Sequence, residues 1–221
     1  MSQTFGKTSW KRFGIAMVPG IAATAAIGVA LANNALAASF NVSGQRFKVT
    51  AEDLTGENFA QFGSYDFETN GTPHAVAISA FDTATIKGMC QSVVSEPALL
   101  GLKLPKVTLR LEAGNSDDVK KQVSAQNLLI DLDQLSADAE FTDINIGQDA
   151  STLKTSATAN WKSPMGTGKP SGLLGFSQTA PKAHLTNVKQ TAWATSAGTF
   201  KLNGLDLKLY VGDDGNGKEC Y

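Results

Sequence analysis

The sequence predicts an all-β domain: one unit of short, mainly antiparallel strands forming a twisted sheet or sandwich, preceded by an N-terminal apolar segment. Three observations carry this expectation. Apolar and polar residues alternate with a period of two along much of the chain. An Asn-Gly pair interrupts one such run, the strongest short-range turn signal between strands. Helical spacing of apolar residues is almost absent.

The strand signals run in order. Phe47, Val49 and Ala51 alternate with Lys48 and Thr50. Val76, Ile78 and Ala80 form a second set. Val107, Leu109 and Leu111 alternate with Thr108 and Arg110, the cleanest case. Leu128, Ile130 and Leu132 follow, with Asp131 and Asp133 directed outward. Phe141 then leads into Thr142, Ile144 and Ile146. Phe200 and Leu202 share one phase, whereas Leu205, Leu207, Leu209 and Val211 share the other. The switch falls at Asn203-Gly204 and predicts a hairpin, or a bulge, that keeps both apolar sets on a buried face.

Asn115 would cap one short helix over 115–123, with Val119 and Val123 on one side. Residues 161–182 hold three of the seven prolines and four glycines, and they read as a long surface loop. The segments 125–141 and 183–200 share a faint pattern, Ala and Leu at the start and small residues before Phe at the end. Such self-similarity keeps a β-solenoid as the alternative fold.

The N-terminus has the organisation of an export signal. Lys7, Lys11 and Arg12 precede an uncharged apolar run over 13–32, and Ala35-Leu36-Ala37 provides a small-residue cleavage motif. Cleavage is expected between Ala37 and Ala38. The run is also long enough to span a bilayer, so an uncleaved anchor is the competing reading. Either way residues 38–221 lie outside the cytoplasm.

That compartment gives the two cysteines a meaning. An exported chain with only Cys90 and Cys220 most simply forms one disulfide between them. It would close a loop of roughly 130 residues, worth about 4–5 kcal/mol in the chain-entropy limit. Hydrophobic content of 42% supports a core, and a charged content of 18% is too low for disorder. Without the three N-terminal cations, sixteen basic residues face twenty acidic ones, a net charge of −4. A mildly acidic body lacks the footprint of a nucleic-acid binder.

Catalytic chemistry is weakly represented. There is no G-x-S-x-G nucleophile elbow, no phosphate-binding glycine loop and no zinc spacing. Were the protein a hydrolase, Ser64 in Gly63-Ser64-Tyr65-Asp66 and Ser177 after Gly175-Phe176 would be the nucleophile candidates. His74 and His184 would be the bases, because a serine needs an activating partner. Asp213, Asp214, Asn216 and Glu219 crowd near the C-terminus, but a calcium loop begun at Asp214 puts Lys218 at a ligand position. A polar turn is expected there. Asp131, Asp133 and Asp138 read as solvated strand-face carboxylates, and Trp161 and Trp193 as core residues, with the lining of an apolar groove as their alternative. No metal or cofactor is expected.

Several stretches together carry a family resemblance: the N-terminal region through RFKVTAEDL, then GMCQSV, LLIDLDQLSADAEFTDINIG, QTAWATSAGTFKLNGLDLKLYV and the final ECY. The chain resembles a family of exported proteins of Streptomyces-type actinobacteria that is often labelled cholesterol esterase. The resemblance implies that the cysteines of GMCQSV and ECY are shared within the family, and its label implies a lipid hydrolase. From the residues themselves, the expected function is that of a non-catalytic extracytoplasmic cell-envelope protein with a binding or structural role. Its partner would be an envelope or membrane protein, or a lipid. The alternatives are a secreted lipid or sterol ester hydrolase and a lipid-binding carrier.

Overall fold

The computed structural model describes residues 42–96, 98–99, 102–153, 175–212 and 218–221. Eleven strands follow in order among them: β1 (Phe47–Phe67), β2 (Pro73–Lys87), β3 (Met89–Ser95), β4 (Ala98–Leu99), β5 (Leu102–Lys103), β6 (Val107–Ala113), β7 (Val123–Thr142), β8 (Asn145–Gln148), β9 (Ser177–Ser196), β10 (Thr199–Lys201) and β11 (Asp206–Val211). Two single-turn 3-10 helices interrupt them, Val119–Lys121 and Ala150–Thr152. The described residues contain no α-helix. The segment expected to be an export signal, with Ala35, Ala37 and Ala38, lies outside the described residues, as do Trp161 and Asp213 to Asn216.

The strands run β11-β6-β3-β1-β2-β7-β9-β8 across the main sheet, with β10 on β7 and a separate β4–β5 pair. Every strand pair is antiparallel. β1 also pairs with β9, so the pairings β1–β2–β7–β9–β1 close on themselves. Inside that circuit lies the main core, built from Leu54, Phe59, Phe81, Ile130, Leu132, Leu185 and Val188. Phe59 stacks obliquely against Phe81 and Phe141, at 5.3 and 5.1 Å between ring centres. A second, smaller core of Phe62, Val76, Ile78, Leu129 and Leu153 covers the other face.

β1, β7 and β9 run 21, 20 and 20 residues, much longer than the expected short strands. A strand that long drifts off its face unless its phase is corrected, because a one-residue slip turns every side chain over. Three asparagines make that correction. Asn58, Asn127 and Asn187 have φ of 52°, 51° and 54°, a left-handed conformation that asparagine tolerates better than most residues. At each the inward-facing parity switches: Leu54 to Phe59, Ala125 to Leu128, and Leu185 to Val188. Gly56 sits directly under the Phe81 ring, and a Cβ there would lie 2.2 Å from it, so only glycine lets the ring close over β1.

Several expectations change. The solenoid alternative fails because the two similar segments lie in β7 and β9, which pair antiparallel rather than stacking as coils. Asn203-Gly204 forms a turn with Gly204 at φ 66°, but not a hairpin: β10 pairs with β7, and β11 with β6. The turn is held instead by the β6–β7 connection. The Asn203 amide donates to the carbonyls of Lys120 and Gln122 at 3.1 and 2.8 Å, and Gly114 N donates to Asn203 O at 2.8 Å. The expected helix reduces to one 3-10 turn capped by Asp118 rather than Asn115, with Val119 exposed and Val123 already buried in β7. The C-terminal part of the expected loop is strand, since β9 begins at Ser177, and residues 161–174 lie outside the described residues. Pro181 is accommodated in β9 because it falls opposite Asn58, where the β1–β9 ladder has a gap.

Candidate functional site

Three places on the described chain carry more than packing. The first is a cavity of about 240 Å³ enclosed by β1, β2, β7 and β9. Its walls are mostly apolar, but one row across three strands is not: Ser79, Gln61 and Gln178 lie side by side in register. The Gln178 amide donates to Gln61 Oε1 at 2.5 Å, and Gln61 donates to Ser79 Oγ at 2.9 Å. Gln190, nearly fully buried, faces the same space beside Leu135. The rim is the second half of β7, where Leu135 and Ala139 are exposed after the β2–β7 pairing has ended at Leu132. The sequence reading missed this ladder. Its signal was a polar amide at an inward phase position, visible only once the phase switch at Asn58 is known.

The second place is acidic. Asp131, expected to be solvated, is half-buried and its carboxyl reaches that of Asp66. Asp66 Oδ2 is buried without a hydrogen-bond donor, so the two carboxyls are best satisfied by a shared proton. Burial, then the neighbouring Asp66 charge, raises the Asp131 pKa well above the usual carboxylate range. Burial raises Asp66 as well, against the lowering effects of the Asp131 hydrogen bond and the His74 charge. Around them, His74 Nε2 meets Glu68 Oε1 at 2.8 Å, the His74 ring stacks on Trp193 at 3.7 Å, and Arg46 pairs with Asp133 at 2.9 Å. The folded state therefore holds a proton that the unfolded chain releases near 3.8. Stability from this pair is full below that value and is lost as pH rises through the raised one. Asp131→Asn, which supplies a neutral amide donor to Asp66, is expected to raise Tm at pH 7 by roughly 2–4 °C. The two melting curves should converge near about pH 4, measured by thermal denaturation across that range.

The third place is the flank formed by β3, β6 and β11. Its two faces differ sharply. On one, Ser92 lies between Lys48 and Arg110 in register, and Arg110 faces Lys208. The C-terminal tail closes this polar face. Cys220 is joined to Cys90 with the Cα atoms 5.8 Å apart. Cys220 N donates to Ser92 Oγ at 3.0 Å, and Lys48 Nζ donates to Glu219 Oε2 and Tyr221 O at 3.0 and 2.9 Å. On the other face, Leu207 pairs with Leu111, Leu209 with Leu109 and Val211 with Val107. Leu205, Leu207, Leu209 and Val211 are 50–62% exposed, the reverse of their expected burial. Thr108, on the polar phase of its strand, is buried at 3% exposure. Towards β9 the apolar face dips into a groove of about 640 Å³ bordered by Phe47, Val93, Trp193 and Phe200.

The hydrolase candidates separate into two pairs. Ser64 and His74 are diagonal neighbours on one face of β1 and β2, with Asp66 opposite His74. No hydrogen bond joins Ser64 to the ring, whose Nε2 is held by Glu68. Ser177 and His184 lie seven positions apart along β9, which is about 20 Å of strand. Ser177 is fully buried and its hydroxyl donates to Gln148 O at 2.9 Å, whereas His184 pairs with Asp53 at 2.5 Å.

A closed circuit of long strands with one stapled flank is the architecture of this chain, and it belongs to a family. The chain is a member of a family of unknown function, DUF6230, whose model matches residues 43–221. No curated protein and no solved structure matches it.

Proposed function

We propose that this protein is a non-catalytic, extracytoplasmic cell-envelope protein that works by assembly through the edge strand β11. The observation that carries the reading is the exposed row Leu207, Leu209 and Val211 on a strand that pairs only with β6 among the described residues. An apolar edge strand is a ready template for strand addition and is normally blunted or covered. A second copy of the chain fits it. Antiparallel self-pairing centred on Leu209 sets Leu209 against itself, Leu207 against Val211, and Lys208 against Tyr210. No like charges meet in that register, and the apolar rows of both copies merge on one face.

The extracytoplasmic assignment rests on the export-signal pattern and on the Cys90–Cys220 pair, which suits an oxidising compartment. The esterase label implied by the resemblance gains nothing from the family description, and the engagement of His74 by Glu68 weighs against a serine–histidine couple at Ser64. Sedimentation velocity on the protein purified without reductant from its host tests the proposal. A dimer is expected for the wild type. Leu209→Arg places two like charges face to face on the twofold axis and should weaken association by more than about tenfold. A monomeric wild type, or a dimer indifferent to Leu209→Arg, overturns it.

A further inference from the structure

We infer that the cavity between β1, β2, β7 and β9 is a binding site for a neutral, single-chain amphiphile: an alkyl chain with an uncharged hydroxyl or amide head. It stands independently of assembly through β11, because its walls belong to the strand circuit and not to the β3–β6–β11 flank.

The chemistry of the walls selects the ligand. The deep wall, with Leu54, Phe59 and Phe81, is buried and apolar and suits a hydrocarbon chain. The Ser79–Gln61–Gln178 row spends one N–H of each glutamine on its own ladder. Each amide keeps a second N–H, and Gln178 Oε1 accepts nothing within the row. A head group that both donates and accepts is therefore matched. Among the described residues, no charged side chain lines the space. A carboxylate or an ammonium would enter without a counter-charge, and burying an unpaired ion is far costlier than burying a hydrogen-bonded neutral group. The size fits as well. At about 30 Å³ per water-sized group, some eight such groups fill about 240 Å³, so an eight-carbon chain fills the cavity and its head group adds one or two atoms at the opening.

The geometry also gives a way in. β2 leaves β7 after Leu132, and the next inward positions on β7, Leu135, Ala137 and Ala139, border the opening with small or exposed side chains. Ala139 is the position where a large side chain would close the rim while remaining in solvent.

Isothermal titration calorimetry with the full exported protein tests this, using 1-octanol and octanamide as probes against octanoate and octylammonium. The neutral probes should bind with one site per chain, and the two ions more weakly by about a hundredfold or more. Ala139→Trp should weaken octanol by at least about tenfold with an unchanged melting temperature. Gln61→Leu should weaken octanamide similarly while leaving the chain's burial intact, and Leu135→Trp serves as a second plug if either variant fails to fold. Absence of heat with both neutral probes at their solubility limit overturns the inference. So does octanoate binding as tightly as octanol, or octanol binding that neither tryptophan plug affects.

Discussion

Phe59→Ala is expected to lower unfolding stability by about 3–5 kcal/mol, read as a shift of the denaturant midpoint at constant slope. Phe59 is 4% exposed and lies at the meeting point of the strand circuit, touching Phe81 from β2 and Phe141 from β7. Truncation removes the transfer free energy of a buried ring and two ring–ring contacts, each worth about 0.5–1.5 kcal/mol. The vacated volume joins the existing cavity, so collapse around it is limited by the ladders that hold all four strands apart. Against a total stability of about 5–15 kcal/mol, such a loss leaves a chain near its threshold. An unchanged midpoint would mean that the aromatic trio does not hold the strands together.

Cys220→Ser has the second large effect, about 2–5 kcal/mol. The bridge spans 130 residues, so in the unfolded chain it closes a long loop, where the entropic gain is greatest. It also holds a docked tail. Without it, the bonds from Lys48 to Glu219 and Tyr221, and from Cys220 N to Ser92, lose their anchor. The wild type in reductant should unfold at the same denaturant concentration as Cys220→Ser in buffer. Amide exchange should rise first at β3 and β6, under the released tail, while β7 and β9 stay protected. Equal protection of β3 in both proteins would show that the tail contributes no cover.

Much of this was legible in the sequence, and the parts that were not share a cause. Alternation located β1, β2, β6, β7 and β11 correctly, because a period of two is a property of the strand itself. It could not say which of two faces is covered. Val107, Leu109 and Leu111 alternate as an inward set would, yet the tail lies on the Ser92 and Arg110 side, and of the three only Leu111 packs against the core. That outcome depends on a disulfide partner more than a hundred residues away. The phase switches hid the inner face in the same manner: Gln61 and Phe59 share the cavity with Leu54 only because Asn58 turns the strand over between them. Asp131 looked solvated because its partner, Asp66, sits on a strand that is far away in sequence. The disulfide pairing followed from the export pattern and the cysteine count together.

The circuit of strands sets the order in which the chain can acquire its shape. β1 and β2 are joined by a short turn, and that hairpin can close early and locally. Every other contact of the inner core waits. Phe47 finds Ala192, and Phe62 finds Ser177, only after β9 has emerged. Contacts this distant in sequence make folding slow, because loop closure is paid before packing rewards it. Until then the first hairpin carries half of an apolar interior with nothing against it. A chain in that state is a natural client for a holding chaperone, and its yield should depend on that protection more than on its final stability.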